Sequence, residues 1–232
     1  MSTNKSIAIV IPAYNEEPTI RQVISHIKNT VINSQIFVID DGSDDKTYEQ
    51  AASAGVFVLR HIVNRGVGAA TMTGIITALQ TTNAEIIVTF DADLQHDPTD
   101  IEQLIQPILN DEADATIGSR FLLEESRKEM PFHKFIGNKV LSFFTSILAG
   151  RKINDSQSGL RAFKRPVLEQ LSIVCDRYAM NSEFIVELSR NDRRIVEVPM
   201  RVKYPHKKGG TTILSGIGIV FDLLLKKIHL KR

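Results

Sequence analysis

Two aspartates separated by one residue, Asp91 and Asp93, stand directly after the apolar run Ile86–Phe90 and are followed by Gln95 and His96. In extended backbone, residues i and i+2 point to the same side, so both carboxylates can face one ligand. Such an oxygen-rich set suits Mg2+ or Mn2+ held jointly with substrate phosphates. The competing role is capping of the next helix, which Asp97, Thr99 or Asp100 can also serve. Calcium fits less well, because the loop has no glycine at the sharp-turn position of a calcium loop. A second acidic group, Asp40-Asp41-Gly42-Ser43, follows the run Ile36–Ile39. Gly42 permits a tight turn and Ser43 or Asp44 can cap a helix. Asp40 and Asp41 can then bond a sugar hydroxyl or a base edge, or remain solvated acids of a capping turn. Asp155 in NDSQSG can serve as general base for a hydroxyl nucleophile or as a turn cap. Arg161 in SGLRAF can bind phosphate or form a structural ion pair.

The stretch NRGVGAATMTG (64–74) is glycine-rich, but Thr71 stands where a dinucleotide fingerprint has its third glycine, and the Lys-Ser/Thr of a P-loop is missing. It reads as a helix N-terminus close to a ligand, with Arg65 near phosphate.

These residues need a frame to bring them together. Ile7–Ile11, Ile36–Ile39, Val56–Leu59, Ile86–Phe90 and Ala115–Ile117 are short β-rich runs that read as buried strands. Ile20, Val23, Ile24 and Ile27 form one helical face, and Ile101, Leu104, Ile105, Ile108 and Leu109 another. Strand–helix alternation predicts an α/β fold with a mostly parallel central sheet covered by helices on both faces. Its ligands collect at the carboxyl ends of the strands, and the polar loops PAYNEE, DDGSDDKT, NRGVGAA, DADLQHDP and GSR fall at those ends. Residues 121–134 read as a polar, mobile connection. Val140–Leu148 reads as a helix with Val140, Phe143, Phe144, Ile147 and Leu148 on one face, and 195–204 as a strand.

With 232 residues, 43% hydrophobic and 24% charged, the chain can bury a full core and is not a disordered type. Its one cysteine, Cys175, excludes a disulfide framework or a multi-thiol metal site. The net charge of +1 hides an asymmetry: residues 201–232 carry eight Lys and Arg against Asp222 alone, while residues 1–200 sum to −6. No apolar stretch reaches the roughly 20 residues needed to span a bilayer. The expected location is cytoplasmic, peripheral at the cytoplasmic face of a membrane, with no nucleic-acid partner.

VIPAYNEE, VIDDGSDDKT, NRGVGAA, DADLQHDP, GSR, DSQSGLRAF and YAMNSE…VP occur in the order found in family 2 glycosyltransferases, and the set resembles the polyprenyl-phosphate branch over roughly residues 6–212. The resemblance implies a GT-A type fold and an enzyme. It would transfer a hexose, mannose or glucose, with inversion from a GDP- or UDP-sugar to a polyprenyl or dolichyl phosphate, using Mg2+ or Mn2+. It implies that Pro12, Ala13, Tyr14, Glu16, Asp40 and Asp41 bind the nucleotide, with Asp91 and Asp93 completing the donor site. It places Asp91, Asp93 and Gln95 at the metal, and Arg120 at the acceptor phosphate. Lys134, Lys139 and Arg161 are further acceptor-phosphate candidates, and Asp93, Arg120 and Asp155 the catalytic ones. Two places depart from the family pattern. His133 and Lys134 precede Gly137-Asn138 where Arg is usual, and the late basic loop reads Tyr204-Pro-His-Lys-Lys-Gly-Gly, so lysine point charges replace arginine forks. A sugar-hydroxyl acceptor, and an inactive nucleotide-sugar-binding subunit of a membrane complex, are the alternatives.

The division expected is a catalytic domain over 1–210 and an amphipathic, basic C-terminal helix over 211–232. Ile213, Leu214, Ile217, Val220, Phe221, Leu224, Leu225 and Ile228 recur there at helical spacing. That helix can pack on the domain, rest on a membrane surface, or dock to a membrane-embedded partner subunit.

Overall fold

The computed structural model describes residues 6–171, 173 and 179–204. The chain alternates strand and helix through its first half: β1 (Ile7–Ala13), α1 (Ile20–Thr30), β2 (Ser34–Asp40), α2 (Thr47–Ser53), β3 (Phe57–Arg60), α3 (Val67–Thr81), β4 (Ile86–Thr89), α4 (Asp100–Leu109) and β5 (Ala115–Ser119). Then follow α5 (Glu124–Glu129), α6 (Phe132–Ala149), β6 (Arg161–Lys164), α7 (Arg165–Leu168), α8 (Ala179–Arg190) and β7 (Ile195–Pro199). The sheet order is β3-β2-β1-β4-β6-β5-β7.

The pleat of β1 divides two cores. Ile9, Ile11 and Ala13 face the layer of α1 and α4, where Ile20, Val23, Ile24 and Ile27 meet Ile101, Leu104, Ile105 and Ile108. Ala8 and Val10 face the other layer, with Ile75 and Ala78 of α3 and Phe184, Ile185 and Leu188 of α8. Helix α3 lies so close to the sheet that a Cβ on Gly74 would stand 2.3 Å from Val10. The five expected strands and both helical faces are present, and the sheet is mostly parallel with helices on both faces.

Four features differ from the sequence reading. Strand β6 runs antiparallel between β4 and β5, pairing Arg161 with both Thr89 and Ile117. Its first residue therefore lies at the rim where the parallel strands end, and the loop before it joins that rim. The connection 121–134 contains α5, pinned by Ser126 Oγ, which donates to the Met200 carbonyl at 2.9 Å. Helix α6 begins at Phe132, and its buried side is Asn138, Leu141, Ser142 and Thr145 rather than the apolar face. The strand expected over 195–204 ends at Pro199, and Val202 forms an isolated bridge with His96. Cys175, the late basic loop after Tyr204 and the boundary expected at 210/211 lie outside the described residues.

Candidate active site

The loops after β1 and β2 form one interlocked surface. Asn15 N–H donates to Ser43 Oγ at 2.9 Å, Glu16 N–H to Thr47 Oγ1 at 2.8 Å, and Asp44 N–H to Asn15 Oδ1 at 2.9 Å. Asn15 adopts φ +54°, which turns the chain sharply after the strand. Tyr14 is left exposed at the end of β1, beside partly buried Pro12 and Glu16. Asp45, rather than Ser43 or Asp44, caps α2 by accepting Thr47 N–H at 2.9 Å.

Asp40 and Asp41 stand at the rim as expected, but both are buried and bonded within the chain. Asp40 accepts Ser43 N–H at 3.1 Å and pairs with Arg60 Nε at 3.1 Å. Asp41 accepts from His61 Nδ1 at 2.7 Å, Arg65 N–H at 3.0 Å and Gly66 N–H at 2.7 Å. His61 in turn reaches Thr73 Oγ1 at 3.0 Å. Asp41 thus fixes the glycine-rich turn that opens α3 and leaves the Arg65 side chain exposed. His61 is the strut between that turn and β2. Its partners lie 20 residues upstream and 12 downstream, beyond any local pattern.

Asp91 and Asp93 come together after β4. Asp91 Oδ2 accepts from His96 Nε2 at 2.9 Å, and Asp93 Oδ1 accepts Gln95 N–H at 3.0 Å. Leu94, at φ +61°, reverses the chain between Asp93 and Gln95, and Lys203 N–H closes the loop on the Gln95 carbonyl at 3.0 Å. Burial pushes the Asp91 carboxyl up, but the hydrogen bond and charge of His96, with Arg120 and Arg161, hold it below the usual carboxylate range. Burial pushes Asp93 up, and the negative charges of Asp91 and Glu16 add to the effect. Gly159 closes the back of the pair: a Cβ there would stand 2.2 Å from Asp91 Oδ2.

This donor set fits a hard divalent cation. Two carboxylates repel one another in a half-buried acidic niche, which a cation would relieve. Among the described residues no three His, Cys, Asp or Glu side chains form a complete cage. The protein would therefore supply Asp91 and Asp93 and leave the other positions to oxygen atoms of a ligand.

Across the rim, Arg120 follows β5 and lies against Asp155. Its Nε donates to Asp155 Oδ2 at 2.7 Å, its Nη2 to Oδ1 at 2.6 Å, and its backbone N–H to Oδ2 at 3.0 Å. Burial would lower the Arg120 pKa, but the Asp155 charge and hydrogen bonds raise it, so the guanidinium stays charged. Asp155 is wholly buried and has both oxygens bound, surroundings that suit an anchor for Arg120 and not a proton acceptor. Glu197 of β7 positions it: Glu197 accepts the backbone N–H groups of Asn154 and Asp155 at 2.9 and 2.8 Å, and Asn154 Nδ2 at 2.7 Å. No short motif marks Glu197, whose partners are 42 and 43 residues away.

Arg161 is 2% exposed and donates to the carbonyls of Ser158, Asn181 and Ser156 at 2.8–2.9 Å. Burial lowers its pKa to about 10. Its donors face backbone, so it braces the loop 156–159 and adds positive charge behind Asp91 without reaching the rim surface. Lys134 and Lys139 of α6 flank the Arg120 side. Lys139 Nζ lies 4.1 Å over the ring of Phe121, and Lys134 Nζ 5.7 Å over that of Tyr204.

The fold and rim are those of a nucleotide-sugar transferase. The chain belongs to glycosyl transferase family 2, whose model matches residues 8–172. It is 39% identical to a UDP-N-acetylglucosamine–dolichyl-phosphate N-acetylglucosaminyltransferase of Methanococcus voltae, over 97% of this chain and 97% of that one. It is 28% identical to a dolichol-phosphate mannosyltransferase of Pyrococcus furiosus, over 94% of this chain and 63% of that one. Its fold superposes with TM-score 0.72 on glucosyl-3-phosphoglycerate synthase of Mycobacterium tuberculosis, solved with Mn2+, UDP-glucose and phosphoglyceric acid, at 21% identity over 95% of this chain and 80% of that one. The architecture is thus a GT-A-like α/β fold.

Proposed function

We propose that this chain transfers a sugar from a nucleoside-diphosphate donor to the phosphate of a polyprenyl or dolichyl lipid, with inversion at the anomeric carbon. The observation that carries the reading is the Arg120–Asp155 pair. A hydroxyl acceptor needs a carboxylate to take its proton, and Asp155, the residue placed for that task, has both oxygens bound by Arg120. A lipid phosphate is already ionised at neutral pH and needs no base. It needs a fixed positive charge, and Arg120 held in a rigid fork provides one. The names of the Methanococcus and Pyrococcus relatives agree with a lipid-phosphate acceptor.

Asp91 and Asp93 hold Mg2+ or Mn2+ in this reading, with Gln95 beside them. The ion, when bound, offsets charge on the departing diphosphate. The chain's own residues do the rest. The interlocked loops of Pro12–Glu16 and Asp40–Ser43 shape the nucleotide seat, and His96 and Gly159 fix the Asp91 carboxylate. Arg120 orients the acceptor phosphate, with Lys134 and Lys139 lowering the repulsion between the two anions, so that the step is one of positioning. The sugar is a hexose or an N-acetylhexosamine. The expected mannose or glucose stands beside the N-acetylglucosamine named for the Methanococcus relative. Association with a membrane surface, or with a membrane-embedded partner, follows from a lipid acceptor. Among the described residues no helix is long and apolar enough to cross a bilayer.

Incubation with labelled nucleotide sugars, Mn2+ and polyprenyl phosphate tests the reading. A labelled, organic-extractable product is expected. Transfer only to sugar hydroxyls, or nucleotide binding without turnover, rejects it.

A further inference from the structure

Helix α6 is amphipathic the wrong way round for a soluble core. Its buried side is mostly polar: Ser142 Oγ accepts the N–H of Ser156, and Thr145 Oγ1 donates to Ser182 Oγ at 2.8 Å. Its outward side is Phe132, Ile136, Val140, Phe143, Phe144 and Ile147, with Phe132 78%, Phe143 62% and Ile147 57% exposed. At 1.5 Å per residue this apolar ridge runs about 22 Å. Contiguous exposed apolar surface of this extent marks an interaction face.

We infer that the outward face of α6 is the surface on which the protein docks to an anionic lipid bilayer, beside the acceptor site. The inference rests on the lipid-phosphate reading and names the partner of that site. Charge decides between occupants. From Met130 to Asn154 the chain carries Lys134, Lys139, Arg151 and Lys152 and no Asp or Glu. A second copy of the same face would bring these cations against themselves. Residues 205–232 hold six Lys and Arg against one Asp, so they are cationic too. An anionic bilayer matches the apolar ridge and its basic border together. Position agrees with this. Phe135 packs edge-on to Phe121 at 5.5 Å, and Lys139 caps the same ring, so the ridge is fastened one residue from Arg120. A bilayer against α6 would present a lipid phosphate where Arg120 can meet it.

The chain contains no tryptophan, so one introduced residue is the single indole, excited selectively over the tyrosines. The probe is vesicles of phosphatidylglycerol and phosphatidylcholine without polyprenyl phosphate, compared with phosphatidylcholine alone. Phe143→Trp emission should shift to the blue with the anionic vesicles. Ile32→Trp, 77% exposed at the opposite end of the sheet, should not shift. The double change Phe143→Ser and Ile147→Ser should weaken vesicle sedimentation by about tenfold or more, while transfer to a short, water-soluble prenyl phosphate stays within roughly twofold. An unshifted Phe143→Trp, unchanged vesicle binding by the double variant, or an equal shift with neutral vesicles overturns the inference. So does a concentration-dependent blue shift without vesicles, which would make the occupant a second copy. Failure of the parent chain to use the short acceptor rejects the lipid-phosphate reading itself and leaves the vesicle result separate.

Discussion

Arg120 and Asp155 form a two-pronged pair across the rim, 2.7 Å from Nε to Oδ2 and 2.6 Å from Nη2 to Oδ1, with Asp155 fully buried. Removing one partner leaves the other charge uncompensated. Asp155→Asn should lower stability by about 3 kcal/mol and transfer by roughly 10²-fold as Arg120 loses its orientation. Steady-state kinetics and denaturant melts check both. A base role for Asp155 would instead abolish the acid limb of the pH–rate profile while leaving acceptor KM unchanged.

Asp93 is the least comfortable carboxylate of the site, raised by burial, Asp91 and Glu16. Asp93→Asn should melt no lower than the parent in chelator, because it relieves that repulsion. The same variant should lose Mn2+-dependent nucleotide binding in calorimetry with UDP or GDP. Retained binding would place the cation elsewhere.

Gly159 leaves no room for a side chain against Asp91, with a Cβ position 2.2 Å from Oδ2. Gly159→Ala should push Asp91 out of line and cut transfer by roughly 10²-fold, with a stability cost of about 1–3 kcal/mol. Full activity in this variant would show that Asp91 need not be fixed.

Glu197 holds the backbone of Asn154 and Asp155, so in the proposed reading it supports acceptor binding through Asp155. Glu197→Ala should raise acceptor KM about tenfold while donor nucleotide affinity is unchanged, and Glu197→Gln should recover part of the loss because one oxygen still accepts. Equal loss of donor and acceptor binding would mean a general structural role.

Acid sensitivity should centre on Asp114. Its carboxylate takes bonds from Arg194 Nη2 at 2.9 Å, Arg194 N–H at 2.9 Å and Lys164 Nζ at 3.2 Å. These, led by the Arg194 side chain, hold it well below the usual carboxylate range. A carboxyl whose folded pKa is depressed contributes stability that is present above its unfolded pKa of about 4 and lost as pH falls toward the folded value. Solvent screening of this surface cluster limits the contribution to about 1 kcal/mol. Asp114→Asn should therefore melt lower at pH 7, and the gap should narrow steadily as pH falls below about 4.

The five parallel strands were legible because each is a short apolar run closed by a polar loop, and the rim followed from their common direction. Strand β6 was not, since Arg-Ala-Phe-Lys is only four residues long and carries a charge at each end. The Asp91–Asp93 pair was legible from its spacing. The inward commitments of Asp40, Asp41, Asp155 and Arg161 were not, because their partners lie on other elements or on backbone carbonyls that a sequence pattern does not display. The apolar spacing of α6 gave the helix correctly, but hydrophobic residues sharing a face do not say whether that face meets the core or lies outside it.

The reversed direction of β6 also bears on the order in which the molecule assembles. The loops proposed to seat the nucleotide are built from contacts among β1, β2 and α3, all within the first 81 residues of the chain. The acceptor side waits for a distant segment to thread between β4 and β5, since Thr89 Oγ1 meets the Gly159 carbonyl across 70 residues and Arg120 meets Asp155 across 35. Non-local pairing of this kind forms late. During refolding the interlocked loops of the first half should therefore form before the Arg120–Asp155 pair, and transfer should return last.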